Sequence, residues 1–465
     1  MKRIGKYEIR GLLGKGGMGT VYKAAMPHTG KIVALKVCEP RQFLADLLGM
    51  DAIRQSFVRE AVTMAKIRHP NIAQVWDCEA RGERPFFVME YYCNNVGAII
   101  NETYEVERPS RPLSVDAALR YTRQTLSALA RLHHVGIIHM DVKPFNLMVT
   151  DEDVVKLIDF GLSKLRGERL GGPETVKRAT PFYGAPEQEE DPNTADERAD
   201  LYSAGVTFFR MLTGRLPLQG LKLAAPAADL DEAWNAFVNR ACHREPEKRF
   251  PNAVAMLDAL EALSRRWEET KEKTCALVEE PEGGAPPLRD APRTLRSEPL
   301  KVAVRRAREI FGTDALWRPR TYAPDAFEGR PGGTIHDAST GLLWERSGSP
   351  YPVTWDEAHA YVHGLNTGGF AGRSDWRLPT VQEVMSLFRP NTLPGDFCFD
   401  PLFDSTKPRI WTADRKSYTA AWYADAALGF VWWQDFTCFF YARAVAAAEG
   451  MNVAHRTSRV EHRTR

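Results

Sequence analysis

The sequence predicts an α+β protein in two parts: a bilobal first domain whose small sheet precedes a larger helical half, and a separate α+β domain towards the C-terminus. Three observations carry this. The first stretch alternates apolar and polar residues with glycine punctuation, and helical periodicity then takes over at 115–133 and 199–212. Strands first and helices after imply a small sheet-rich lobe followed by a larger helical one. From 271 to about 299 the chain turns to Glu, Pro, Gly and Arg, including EEPEGGAPP and RDAPRTLRSEP, which bury too little apolar surface to fold and predict a linker.

The expected division is 1–268 for the first domain, 269–300 for the linker, 301–450 for the second domain and 451–465 for a polar, basic tail. A chain of 465 residues exceeds what one core usually organises. The stretch 257–267 is the last helix expected in the first half, and the basic, periodic segment 300–311 leads into the second. There the texture becomes aromatic. Capping boxes at Thr354-Trp-Asp-Glu357 and Thr380-Val-Gln-Glu383 start helices, and strands are expected at 341–344, 409–412, 421–424 and 430–433.

Composition narrows the partners. With 62 basic and 60 acidic residues the net charge is +2, so nothing global calls for nucleic acid or an anionic surface. No apolar run reaches the roughly 20 residues of a membrane helix, and the start MKRIGKYEIR has no apolar signal core. A cytoplasmic protein without a membrane span is expected. Seven scattered cysteines, none in a C-x-x-C pair, suit reduced thiols. Cys398 and Cys438 share the second domain and could pair, but buried thiols are the expectation.

The chemistry sits in the first half. Gly14-Lys-Gly16-Gly-Met-Gly19-Thr-Val21 lies between two apolar strands, where glycines let backbone amides close over phosphates. In a dinucleotide fold the same spacing would open a helix, whereas here a strand continues. Val33-Ala34-Leu-Lys36 places a lysine in a hydrophobic strand, a costly position unless it meets phosphate or carboxylate. Glu60, in the helical stretch 57–67, is the carboxylate assigned to it. In Ile138-His-Met140-Asp141-Val-Lys143-Pro-Phe-Asn146 a base, a cation and an amide share one loop. Asp159, in Leu157-Ile-Asp159-Phe-Gly161, adds an anionic metal ligand.

These motifs resemble the eukaryotic-like serine/threonine protein kinases of bacteria, over about residues 7–263. The resemblance implies ATP and Mg2+ as cofactors and proteins as substrates. It implies that Gly14, Gly16 and Gly19 cover ATP, that Lys36 holds its α and β phosphates with Glu60 as anchor, and that Val21, Ala34, Met89, Glu90 and Tyr92 belong to the nucleotide site. Asp141 would take the substrate hydroxyl proton, Lys143 would steady the transferring phosphoryl group, and Asn146 and Asp159 would bind metal. Asp200, the Glu187 and Arg249 pair, and Thr180 would support the site. Two positions depart from the family: Met140 stands where arginine is usual, and Ala179 where glycine is usual. Arginine there pairs with a phosphate on the activation segment, and methionine cannot, although Lys164, Arg166, Arg169, Lys177 and Arg178 remain nearby in sequence. The alternative is a pseudokinase scaffold that binds nucleotide and partners without phosphoryl transfer. Such scaffolds lose a counterpart of Lys36, Asp141 or Asp159, and all three are present.

The second domain, over about residues 333–445, resembles the bacterial Lcl-type C-terminal domain. Its marks are His336-Asp-Ala-Ser-Thr-Gly341-Leu-Leu-Trp344, Ser374-Asp-Trp376-Arg377-Leu-Pro379-Thr380 and Tyr441-Ala-Arg443-Ala-Val445. The resemblance implies a C-type-lectin-like fold. Trp344, Trp376, Arg377 and Trp411 are expected in the core, and the aromatic stretch 422–441 as a recognition surface. Its partner would be a ligand, or a protein docked as substrate, and no calcium-binding triplet is present.

Overall fold

The computed structural model describes residues 2–448 apart from 18, 83, 104, 161–162, 166–181, 218–229, 278–293, 325 and 391–396. Two compact units emerge, one within Met1–Glu280 and one within Pro281–Thr392 and Asp396–Arg465. Among the described residues no helix is long and apolar enough to cross a membrane.

The first unit begins with a six-stranded antiparallel sheet in the order Arg3–Ile4, Tyr7–Lys15, Thr20–Ala25, Ile32–Val37, Phe86–Glu90, Val75–Glu79. Period-2 alternation sorts its residues by face. Tyr7, Ala24, Val33, Leu35, Val37, Phe86 and Val88 form an apolar cluster on one side. The opposite face is left to Val21, Ala34, Lys36 and Met89. Helix Met50–Lys66 packs its Phe57 ring 5.1 Å from that of Phe87.

The helical half is built around Glu197–Thr213, capped by Asp196 and stopped by left-handed Gly214. Thirteen of its 17 residues are buried, which makes it the central element of the unit. Gly205 is required there: a Cβ would stand 2.6 Å from Cβ of Ala241, so only glycine lets helix Glu232–Ala241 cross this closely. Val115–His134 starts on a Ser114 cap and places Arg131, His133 and His134 in its last turn, where cations suit the helix dipole.

Helix Ala253–Leu277 runs on into the segment expected as linker. Its continuation has a cause. Trp267 donates its indole N–H to Asp116 at 3.1 Å, Lys271 reaches the same oxygen at 3.0 Å, and Glu268 pairs with Lys271 at 2.9 Å. At the other end of the expected linker, Arg296 already belongs to the second unit.

That unit holds a four-stranded sheet in the order Phe327–Arg330, Thr334–Asp337, Leu342–Glu345, Val445–Ala447, and a three-stranded one of Arg409–Arg415, Ala420–Asp425 and Phe430–Asp435. Helices Val304–Phe311, Trp355–Thr367 and Val381–Met385 accompany them, the last two with the capping boxes Thr354/Glu357 and Thr380/Glu383 formed. Trp344, Trp376 and Trp411 are buried as expected. Arg377 is only half-buried and forks onto Glu383 at 2.5 and 2.7 Å. The stretch 422–441 differs from its expectation. Trp422, Tyr423, Phe430 and Phe440 are core residues: Ala420–Asp425 is the central strand of its sheet and is buried along its whole length, so both its faces are covered, while Trp432 and Trp433 on the neighbouring edge strand are half-buried and Phe439 is exposed. Cys38 and Cys242 are free thiols, and Cys398 is a buried thiol.

Asp414 is the staple of this unit. Fully buried, it accepts from both terminal nitrogens of Arg296 at 2.9 and 2.7 Å, from the Leu300 N–H at 2.6 Å and from the Val381 N–H at 2.8 Å. Removing one partner of a buried ion pair typically costs about 3–5 kcal/mol. Asp414→Ala is therefore expected to destabilise the second unit by about that amount. Urea unfolding followed by tryptophan fluorescence checks this, since eight of the eleven tryptophans lie beyond residue 300; an unchanged midpoint would contradict it.

Candidate active site

Strand register assembles one wall of the site. Gly14 lies opposite Val21, Val21 opposite Lys36, Lys36 opposite Phe87, and Ala34 opposite Met89. Directly opposed residues share a face, so Val21, Ala34, Lys36 and Met89 look the same way, away from the apolar cluster. Met89 is buried, and the half-buried Glu90 and Tyr92 follow it, joined by a 3.1 Å bond from the tyrosine hydroxyl to the Glu90 carboxylate. The glycine turn closes through a 2.8 Å bond from the Gly16 N–H to the Gly19 carbonyl. At Gly19 a Cβ would stand 2.4 Å from the Val37 carbonyl oxygen, whereas at Gly14 it would meet nothing within 4 Å.

Lys36 is nearly buried, and its ammonium donates to Glu60 at 2.8 and 3.1 Å and to Asp159 at 2.8 Å. Burial alone would lower its pKa, but Asp159 and Glu60 outweigh that and hold it above the ordinary lysine range. The two acids divide the consequences. Burial pushes the Glu60 carboxyl up to about 7 despite Lys36. Asp159 feels desolvation too, but Lys36 overrides it and holds this carboxyl well below the usual range.

Lys143 donates to both oxygens of Asp141 at 3.0 and 2.8 Å, and the Asn146 amide donates to the Asp141 carbonyl at 2.8 Å and carboxylate at 2.9 Å. The loop rests on Asp200 of the central helix, which is fully buried. Its carboxylate accepts the N–H groups of His139 and Met140, both at 2.8 Å, and bonds His133 Nε2 at 2.8 Å. Burial would raise the Asp200 pKa, but the His133 and backbone bonds prevail and it is lowered. His139 in turn bonds the Ile158 carbonyl at 3.0 Å and packs its ring 5.2 Å from Phe160. Both Met140 (φ 68°) and Asp159 (φ 67°) adopt left-handed backbone, a conformation that costs non-glycine residues about 1–2 kcal/mol.

Arg249 grips Glu187 at 2.7 and 2.8 Å with both terminal nitrogens. Met140 does not point at solvent. It packs with Ile138, Ala185, Ala195 and Ala199 in an apolar cluster bordered by Tyr202. Lys164 spends its ammonium on the carbonyls of Pro192 and Asn193 at 2.9 and 3.1 Å. Gly161, Arg166, Arg169, Lys177, Arg178, Ala179 and Thr180 lie outside the described residues.

Two residues that the motifs do not single out complete this framework. His133 sits on the buried stripe of its helix, and a polar residue on such a stripe is a readable signal. Gln188, buried directly after Ala185-Pro-Glu187, gives no comparable signal, since nothing in the spacing marks it. Among the described residues no three His, Cys, Asp or Glu side chains gather as a metal cluster. Asn146 and Asp159 nonetheless fit magnesium: an amide and a carboxylate are hard oxygen donors, and this ion is commonly bound through one or two protein oxygens with substrate phosphates completing its shell.

The protein kinase domain family matches residues 7–267, more than half of the chain, and the Lcl C-terminal domain family matches 333–446. Similar proteins include the serine/threonine-protein kinase PksC of Streptomyces coelicolor, 35% identical over 55% of this chain and 48% of its own. The serine/threonine-protein kinase pkn3 of Myxococcus xanthus is 30% identical over 56% of this chain and 50% of its own. PknL of Mycobacterium tuberculosis, also a serine/threonine-protein kinase, is 32% identical over 56% and 66%. The chain thus spans about half the length of the first two relatives.

The glycine turn supplies a test of the site. Gly19→Ala is expected to weaken adenine-nucleotide binding by about tenfold or more, because a backbone carbonyl cannot yield as a side chain can, while Gly14→Ala changes it by less than about threefold. Isothermal titration with both variants checks this; equal losses would show that the close approach at Val37 is not what sets the loop.

Proposed function

The chain belongs to the protein kinase domain family, and from that premise we propose that it transfers the γ-phosphate of ATP to serine and threonine hydroxyls of proteins. One observation carries the reading: Lys36 reaches both Glu60 and Asp159 while Asp141, Lys143 and Asn146 are joined in one loop. A chain that only scaffolds partners has no need to keep this set.

In the proposed reaction the substrate hydroxyl oxygen forms a bond to the γ-phosphorus as the bond to the β-γ bridging oxygen breaks, and ADP leaves. Asp141 accepts the hydroxyl proton, and the Lys143 ammonium beside it offsets negative charge on the moving phosphoryl group. Lys36, oriented by Glu60, positions the α and β phosphates against the cover of Gly14, Gly16 and Gly19. Val21, Ala34, Met89, Glu90 and Tyr92 form the adenine end of the site. Magnesium, held by Asn146 and Asp159, supplies charge neutralisation when bound. The second unit is assigned recognition of a ligand or a docked substrate, supported by the half-buried Trp432 and Trp433 and the exposed Phe439 on its surface.

Incubation of the wild type with radiolabelled ATP and a serine/threonine peptide library should give phosphopeptide. Asp141→Asn should lower turnover by about a hundredfold or more. ATP binding without transfer by the wild type would favour the scaffold.

A second expectation concerns control. The Met140 side chain carries no donor and is enclosed by apolar side chains, and Lys164 is already engaged with carbonyls, so phosphate on the activation segment, at Thr175 or Thr180, both outside the described residues, has no reader at position 140 or 164. Phosphatase-treated enzyme, shown by mass spectrometry to be unmodified there, should keep initial rates within about threefold of the phosphorylated form. A drop of about a hundredfold, restored by rephosphorylation, would establish a phosphate switch instead.

A further inference from the structure

Met140 is an unusual residue to find in left-handed backbone, and it immediately precedes Asp141. Its N–H is fixed by Asp200 at 2.8 Å. Its carbonyl is fixed as well: the buried Gln188 amide donates to it at 3.0 Å, and the same nitrogen lies 3.8 Å from the Met140 sulfur. The other end of that amide accepts the Ala185 N–H at 3.0 Å. A single side chain therefore ties the start of helix Pro186–Glu190 to the peptide that sets the direction of Asp141. With no guanidinium at position 140 to make polar contacts of its own, this amide holds the methionine carbonyl from the segment that follows.

We propose that Gln188 is a positioning residue for the catalytic loop, holding the strained Met140 peptide and through it Asp141; this rests on the kinase reading given above. The requirement is specific. An acceptor must face Ala185 and a donor must face Met140, which the neutral amide provides and a carboxylate does not. If Gln188 served only to cap its helix, glutamate would be as good or better, since a carboxylate in the first turn suits the helix dipole. Positioning predicts the opposite, and the loss should depend on pH because a protonated glutamic acid offers a donor and an acceptor again.

The charged surroundings favour a titration in reach. Glu187, Glu189, Glu190 and Asp191 share the turn, and Asp200 and Asp141 lie on the elements packed against it. Arg249 is engaged with Glu187, Arg244 with Glu190, Lys143 with Asp141, and His133 with Asp200. Lys164 is taken up by carbonyls, and His139 by the Ile158 carbonyl. Burial beside the apolar cluster around Met140 and Ala185 raises the pKa of an introduced acid.

The experiment measures kcat and KM for ATP of the full chain as wild type, Gln188→Glu and Gln188→Ala, from about pH 6 to about pH 8.5. The glutamate variant, expressed as a ratio to wild type at each pH, should lose about tenfold or more in kcat as pH rises, with KM for ATP within about twofold and recovery on return to low pH. The alanine variant should be low at every pH. A glutamate variant that parallels wild type throughout, or falls irreversibly with KM, would overturn the positioning role while leaving the kinase reading intact. Absence of transfer by the wild type would overturn that reading and this inference with it.

Discussion

The carboxylate of Asp200 is the contact on which the first unit's chemistry rests. It is buried in the central helix, yet its two oxygens are committed to the consecutive N–H groups of His139 and Met140 and to His133. A buried ion without such partners would neutralise or unfold its surroundings. Here the charge is spread over three donors from two other elements, the helix 115–134 and the loop ahead of Asp141. The loop thereby inherits the rigidity of the most buried helix in the unit, a condition for placing a reacting group to a fraction of an ångström.

Strain and charge are concentrated in the same few residues. Met140 and Asp159 both hold left-handed backbone, and each is over-determined by bonds from elsewhere: Asp200 and Gln188 in the first case, Lys36 in the second. Lys36 in turn balances two carboxylates of opposite tendency, one pushed towards neutrality by burial and one kept charged. Bound phosphate would enter a site where one cation already mediates between the helix carrying Glu60 and the loop carrying Asp159. A change in either acid is therefore felt by both lobes of the unit.

Much of this was legible in the chain. Lys36 and Glu60 declare themselves as a charge in a hydrophobic strand and an acid on a helix, and the loop from His139 to Asn146 is contiguous, so spacing alone brings its groups together. What spacing could not give was the support. The Gln188 contact spans 48 residues to a backbone carbonyl, and backbone groups leave no trace in sequence. The aromatic stretch 422–441 differs for a related reason: composition marks it as sticky, but only its place in the sheet, central for Ala420–Asp425 and at the edge for Phe430–Asp435, decides which rings are covered on both faces. The segment expected as linker is shorter among the described residues for two separate reasons: the helix Ala253–Leu277 continues where Asp116 meets Trp267 and Lys271, and Arg296 is held by Asp414.

The Asp414 staple bears on how this second unit can travel between proteins. The recognisable family segment begins at residue 333, but the guanidinium that neutralises Asp414 comes from Arg296, well upstream of it. A gene rearrangement that cut at the recognisable border would carry away a buried anion and leave its cation behind. The heritable module is thus longer than its signature, and any functional transplant of it has to carry the segment upstream of that signature that supplies this arginine, or an equivalent.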